Sequence, residues 1–262
     1  MKLKTLFLVM LPLLPLQGAL AADDEQPNAK SMDYYLNPPD QNDDVDDVRS
    51  SMLNEAAHTI GFRGGKAERA QEIRAAVEKQ RSNLDYMYSF QPLISREGYL
   101  PPVIVEAKDV AHITNDQIRT ATRAYDIVVP ARFVSNPPTW KSYLLTGLMA
   151  QKIDLPESAA MPKDGKQRDI WKRAIALGWA DGRVKADEIF VSNFNRLTRD
   201  YTGMLRYSTL LQQDMITAPV ITQQQQTVTG DKNRLLLGDK VKRMKRQAEF
   251  DTNKRNWSPT IK

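Results

Sequence analysis

Residues 168–213 read RDIWKRAIALGWADGRVKADEIFVSNFNRLTRDYTGMLRYSTLLQQ, forty-six residues without a proline. Ala186, Phe190, Phe194, Leu197, Tyr201 and Leu205 follow one another at steps of four, four, three, four and four, a spacing that places them on one face of a helix. A helix of this length extends for tens of ångströms at ~1.5 Å per residue and would be the spine of the fold. Gly178, Gly182 and Gly203 are the places where it is expected to bend or divide.

Upstream, the same periodicity recurs. Asp46 to Ile60 can start a helix, and Gly61, Gly64 and Gly65 read as its stop. Ala67 to Tyr88 then carries Ala70, Ile73, Val77, Leu84 and Met87 at helical spacing among many charges. Two β-branched runs, Pro102-Val103-Ile104-Val105 and Ile127-Val128-Val129, predict short strands, and Asn115 to Ala124 between them reads as a short helix. The expected fold is mainly α with a small β element: a long central helix packed with shorter helices, and flexible charged tails.

The ends differ in charge. Asp23 to Asp47 holds nine acids against the single base Lys30, while Asp231 to Lys262 holds ten bases against four acids. Segments 22–47 and 223–262 therefore read as an acidic flexible lead and a polar, basic tail, with Gln223-Gln224-Gln225-Gln226 as a linker. The basic tail is either solvated or a contact to a partner or an anionic lipid surface. Residues 48–222 form the folded domain between them.

Residues 1–21 have the layout of an export signal. Lys2 and Lys4 precede the apolar run from Leu6 to Leu16, and Ala19-Leu20-Ala21 supplies small residues for cleavage. The run is too short to cross a hydrocarbon core of roughly 30 Å, and Pro12 and Pro15 interrupt it. The chain is thus expected to be exported, with Ala22 as its first mature residue. It contains no cysteine, so disulfides, thiolate metal sites and thiol nucleophiles drop out together. The net charge of +5 falls to +3 once Lys2 and Lys4 leave, too small an excess to argue for nucleic-acid binding.

Catalytic patterns are missing. His58 and His112 are the only histidines, and neither lies in a metal-ligand spacing. Gly64-Gly65-Lys66 lacks the first glycine and the final hydroxyl residue of a phosphate loop. Asp40, Asn42 and Asp44 start a calcium-loop pattern that fails at Val45 and Ser51. No catalytic, cofactor or metal residue is expected. An envelope hydrolase could still form from carboxylates distant in sequence, and a nucleic-acid-binding module could use the basic tail.

Aromatic and proline clusters remain. The densest runs from Ala131 to Leu144, and Phe133, Pro137, Pro138, Trp140 and Tyr143 are its candidate interface residues. Large rings with little entropy to lose serve cores and interfaces alike, so the cluster is either a packed loop or a subunit contact.

Three segments carry a family resemblance: Tyr88-Ser89-Phe90-Gln91-Pro92-Leu93 with Leu100-Pro101-Pro102-Val103; Ala131-Arg132-Phe133 through Trp140 and Tyr143-Leu144; and Ala186-Asp187-Glu188-Ile189-Phe190 through Asn195 to Asp200, Tyr201, Gly203 and Met204. Over residues 51–221 the chain resembles the DotC family of type IVB secretion systems, which includes the TraI proteins of IncI-type conjugative plasmids. The resemblance implies a non-enzymatic scaffold in the outer-membrane core complex. It implies partners, a DotD-like lipoprotein and a DotH-like protein, within a homo-oligomeric ring, with no small-molecule substrate and no direct nucleic-acid contact. Such proteins are typically lipid-anchored through a cysteine after the signal peptide. With no cysteine here, the expectation is a periplasmic protein held at the inner face of the outer membrane through its partners.

Overall fold

The computed structural model describes residues 47–149 and 153–258, together with Met32 and Leu36. The export signal and all but Met32, Leu36 and Asp47 of the acidic lead lie outside the described residues. Helix α1 (Asp47–Lys79) is followed by α2 (Arg81–Met87), strands β1 (Tyr99–Leu100), β2 (Val103–Ile113), β3 (Ile118–Val129) and β4 (Arg132–Phe133), and helix α3 (Trp140–Leu144). Helix α4 (Gly165–Gln212) comes next, then β5 (Val220–Asp231) and β6 (Arg234–Arg246).

The long helix is present and unbroken over 48 residues, about 70 Å at ~1.5 Å per residue. Asp164 caps it, its side chain accepting the Gln167 amide at 2.8 Å. Gln167 is itself fully buried and satisfied. It donates to Asp164 Oδ2 at 2.9 Å and accepts from Lys163 N at 3.0 Å and Arg49 Nε at 3.1 Å. That network ties the start of α1 to the start of α4.

The two long helices run parallel, from Arg49 beside Gln167, through His58 beside Asp181, to Arg69 beside Asp187. Gly61, Gly64 and Gly65 do not end a helix, contrary to the sequence expectation. They lie inside α1, and a Cβ at any of them would come closer than 3 Å to α4, meeting the backbone of Ile175, the ring of Trp179 and the carbonyl of Trp179. Gly178 and Gly182 answer from α4, against the backbone of His58 and Phe62. They do not divide the helix. Small residues one turn apart on both partners allow backbone-to-backbone packing that no side chain would permit.

Three apolar clusters follow the length of α4. Leu53, Ala57 and Ile60 of α1 close on Trp171, Ile175 and Trp179, with Met32 and Leu36 packed against them. The central cluster joins Ala70, Ile73 and Val77 to Phe90, Leu100, Val103, Trp140, Leu144, Ala186, Leu197 and Met204. At the far end Ile104, Tyr207, Leu210, Ile216 and Ala248 form the third. Of the six residues expected on one face of α4, Ala186 and Leu197 are buried, whereas Phe194 and Leu205 remain 40% and 42% exposed. Each four-residue step turns the helix about 40° past a full circle, so such a row winds out of the contact.

The β element is larger than expected. Strands β2 and β3 pair antiparallel from Ile104↔Ile127 out to Ile113↔Ile118, so the Asn115–Ala124 segment is turn and strand rather than helix. Thr114 closes the turn through Asp116 Oδ1 at 2.8 Å, and the alternating Ile118, Thr120 and Thr122 suit an extended partner. The two-residue pair β1–β4 continues the ribbon past buried Pro101 and Pro102. Gly203 admits its base, because a Cβ there would strike Val103 and the Ile104 backbone. The Gln223–Gln226 run, read as a linker, lies within β5 and pairs with Asp239 to Lys242 of β6.

Candidate functional site

The aromatic cluster divides once folded. Thr139 and Ser142 cap each other to start α3, which turns Trp140, Tyr143 and Leu144 into the core. Trp140 is 2% exposed, and its indole donates to Asp85 Oδ1 at 2.6 Å. The Tyr143 ring stacks on Phe90 with centroids 5.5 Å apart and planes 5° from parallel. Tyr201 meets Phe90 edge-on at 5.3 Å and Tyr88 likewise at 5.3 Å. These rings pack two segments of chain, Tyr88 to Phe90 and Trp140 to Tyr143, onto the middle of α4.

Tyr143 also ends in a buried polar contact. Its hydroxyl donates to Asp200 Oδ2 at 3.1 Å, while Arg199 holds Oδ1 through Nε and Nη2 at 2.9 and 2.7 Å. Burial, and next the Asp200 charge, push the Tyr143 phenol up to about 12. The Arg196 guanidinium lies over the same ring at 5.5 Å. Of the five candidate interface residues, Trp140 and Tyr143 are therefore spent inside. Pro137 and Pro138 are half-buried, and Phe133 on β4 remains 40% exposed.

The surfaces left open lie elsewhere. The outer face of α4 carries Leu177, Val184, Val191 and Leu205 at multiples of seven residues, between 42% and 65% exposed. The same stretch of the helix carries Val184, Asp187, Glu188, Val191, Arg196 and Arg199 on one open surface. Its apolar side chains and mixed charges are what a docked helix or strand of another protein would meet. The heptad spacing of Leu177, Val184 and Val191 was present in the sequence, but the longer core periodicity of the same helix obscured it. The distal Ile113–Ile118 pair on β2–β3 leaves both residues 68% exposed, and Val228, Leu235 and Leu237 are open on β5–β6.

Charged groups knit α1 to α4 beside this face. Arg183 contacts Glu68 and Glu72, and Arg69 contacts Glu72 and Asp187. Burial works against the Glu72 charge, yet hydrogen bonds from Arg183 and Arg69 hold its carboxyl below the usual range. His58 bonds Asp181 at 3.0 Å on the surface, another tie between the two helices. Among the described residues no three His, Cys, Asp or Glu side chains converge as a metal site, and no helix is long and apolar enough to cross a membrane.

No curated protein matches the chain. A family described as type IV secretory system, conjugal DNA–protein transfer matches residues 47–259, which extends past the 51–221 resemblance and takes in the whole β5–β6 ribbon. With α1, α4 and both ribbons inside that match, the chain belongs to the TraI family of type IV secretory system proteins.

Proposed function

We propose that this protein is a structural, non-enzymatic subunit of the outer-membrane core complex of a type IVB secretion or conjugative transfer system, in the role held by DotC-like proteins. It is exported to the periplasm and sits at the inner face of the outer membrane. There it assembles in a homo-oligomeric ring with a DotD-like lipoprotein and a DotH-like protein, taking no small-molecule substrate and no cofactor.

The family match over residues 47–259 is the observation that carries this reading. The exposed row Leu177, Val184 and Val191 supports it, because apolar residues in register along a long rigid helix suit a lasting contact with another chain. A photo-crosslinker at Val191, in cells that also make the DotD-like and DotH-like partners, should trap the protein in a large envelope assembly. A lone monomer in those cells would sink the reading.

A further inference from the structure

The β5–β6 ribbon is strongly basic. From Val220 to Arg246 it holds Lys232, Arg234, Lys240, Lys242, Arg243, Lys245 and Arg246 against Asp231 and Asp239. Near its base Lys242 reaches the Glu97 carbonyl at 2.9 Å, and further out both strands are largely solvent-exposed. Leu237 stands opposite Val228, and Leu235 stands opposite Gly230. Residues two apart share a face of a strand, so Val228, Leu235 and Leu237 form one aliphatic patch, with Gly230 leaving Leu235 uncovered. These three side chains are 54%, 69% and 73% exposed.

We propose that this ribbon is a membrane-binding element that lies side-on against an anionic lipid surface. The Val228–Leu235–Leu237 patch enters the boundary between headgroups and acyl chains. Lys232 in the distal turn, and Arg243 and Lys245 along the stem at even steps from Leu235 and Leu237, meet the headgroup phosphates. Long basic side chains bury their stems along the apolar layer while the charge stays wet.

The composition selects lipid over the other partners a basic arm could take. Protein interfaces enrich aromatic residues and deplete lysine, whereas this ribbon has no aromatic residue and four lysines. Single-stranded nucleic acid needs rings on which bases stack, and gains nothing from an aliphatic patch. The open face of α4, by contrast, mixes Asp187 and Glu188 with Arg196 and Arg199 and has no preference for an anionic surface.

The test is flotation of the purified protein with phosphatidylcholine vesicles made with or without phosphatidylglycerol. The protein should float with the phosphatidylglycerol vesicles alone and be released by high salt. Replacing Lys232, Arg243 and Lys245 with Gln should weaken partitioning by about a hundredfold, at roughly fivefold per charge. The pair Leu235→Ser with Leu237→Ser should also lose flotation. Removing three charges elsewhere, with Lys79→Gln, Lys166→Gln and Lys172→Gln, should change it far less. Each variant is checked for an unchanged thermal melt, so a folding defect cannot pass for lost binding. The proposal is overturned by absence of flotation, by equal flotation with neutral vesicles, by indifference to either ribbon variant, or by retention on single-stranded DNA without flotation.

Discussion

Gly182 of α4 and Phe62 of α1 meet backbone to backbone, so closely that a Cβ on Gly182 would fall less than 3 Å from the Phe62 carbonyl. The contact recurs one turn earlier between Gly178 and His58, and on the other helix where Gly65 meets Trp179. A pair of long parallel helices is thus held at its closest approach by hydrogen atoms in place of side chains.

Gly182→Ala should therefore destabilise the protein by about 1–3 kcal/mol, although alanine is the better helix former by ~1 kcal/mol. Gly165→Ala, where nothing lies within 4 Å of the new methyl, should be neutral or slightly stabilising. Circular-dichroism melts of the two variants decide it. An unchanged Gly182→Ala would mean the helices are not in backbone contact.

Tyr143→Phe should cost about 1–3 kcal/mol, because the variant withdraws a hydrogen bond from a buried carboxylate already committed to Arg199. The same hydroxyl has a pH signature. Its folded-state value of about 12 lies above the ordinary 10.0, so the unfolded chain releases its proton first. Stability is then fully present below pH 10 and falls as pH rises toward 12. Denaturant titrations at alkaline pH should show a shallower fall for Tyr143→Phe; equal slopes would rule out this coupling.

Glu72 acts with the opposite sign. Its carboxyl is held below the ordinary 4.5 by Arg183 and Arg69 against an opposing burial effect, so its contribution is present above pH 4.5 and fades as pH falls through the lowered value. Both side chains of the pair are partly solvated, which limits the effect to less than about 1 kcal/mol. Glu72→Gln should lose that amount at neutral pH and converge with the parent in acid, as measured by urea unfolding. A constant difference down to low pH would show that packing, not charge, is at stake.

The outer face of α4 gives the functional prediction. Val184→Glu with Val191→Glu places charges on exposed positions, so the fold should hold within about 0.5 kcal/mol per site. Conjugal transfer in a complementation assay should drop sharply. Transfer at the parental level would remove this face from the assembly surface.

Local rules made some elements legible and misled on others. The long helix could be read because its period persists and Asp164 offers a cap. Both strand nuclei were found, since Val103 to Val105 and Ile127 to Val129 are β-branched. The outer halves of β2 and β3 scatter Val110, Ile113, Ile118, Thr120 and Thr122 among Ala, Lys, Asp, His and Arg, with no β-branched run to mark a strand. They are extended because each is the other's partner. The glutamine run is the same case, a polar segment whose ladder bonds come from the backbone and ignore its side chains.

The candidate interface turned on burial. Phe133, Trp140 and Tyr143 are chemically alike and eleven residues span all three, yet only Phe133 is left substantially exposed. A ring's affinity for apolar surroundings does not say whether its own chain or another supplies them. The Thr139–Ser142 cap and the distance to Phe90 and Asp85 made that choice.

Helical periodicity, the capping residue of α4 and the lack of any cysteine are properties of neighbouring residues or of composition, and they could be known without coordinates. The glycines are otherwise. A glycine after a helical run stops the helix if water takes its place beside the backbone, and seals a contact if another helix does. Gly61, Gly64 and Gly65 took the second course because Ile175 and Trp179, more than a hundred residues away, came to lie against them. The partner that decides a residue's role stands far off in the chain, and only folding brings it near.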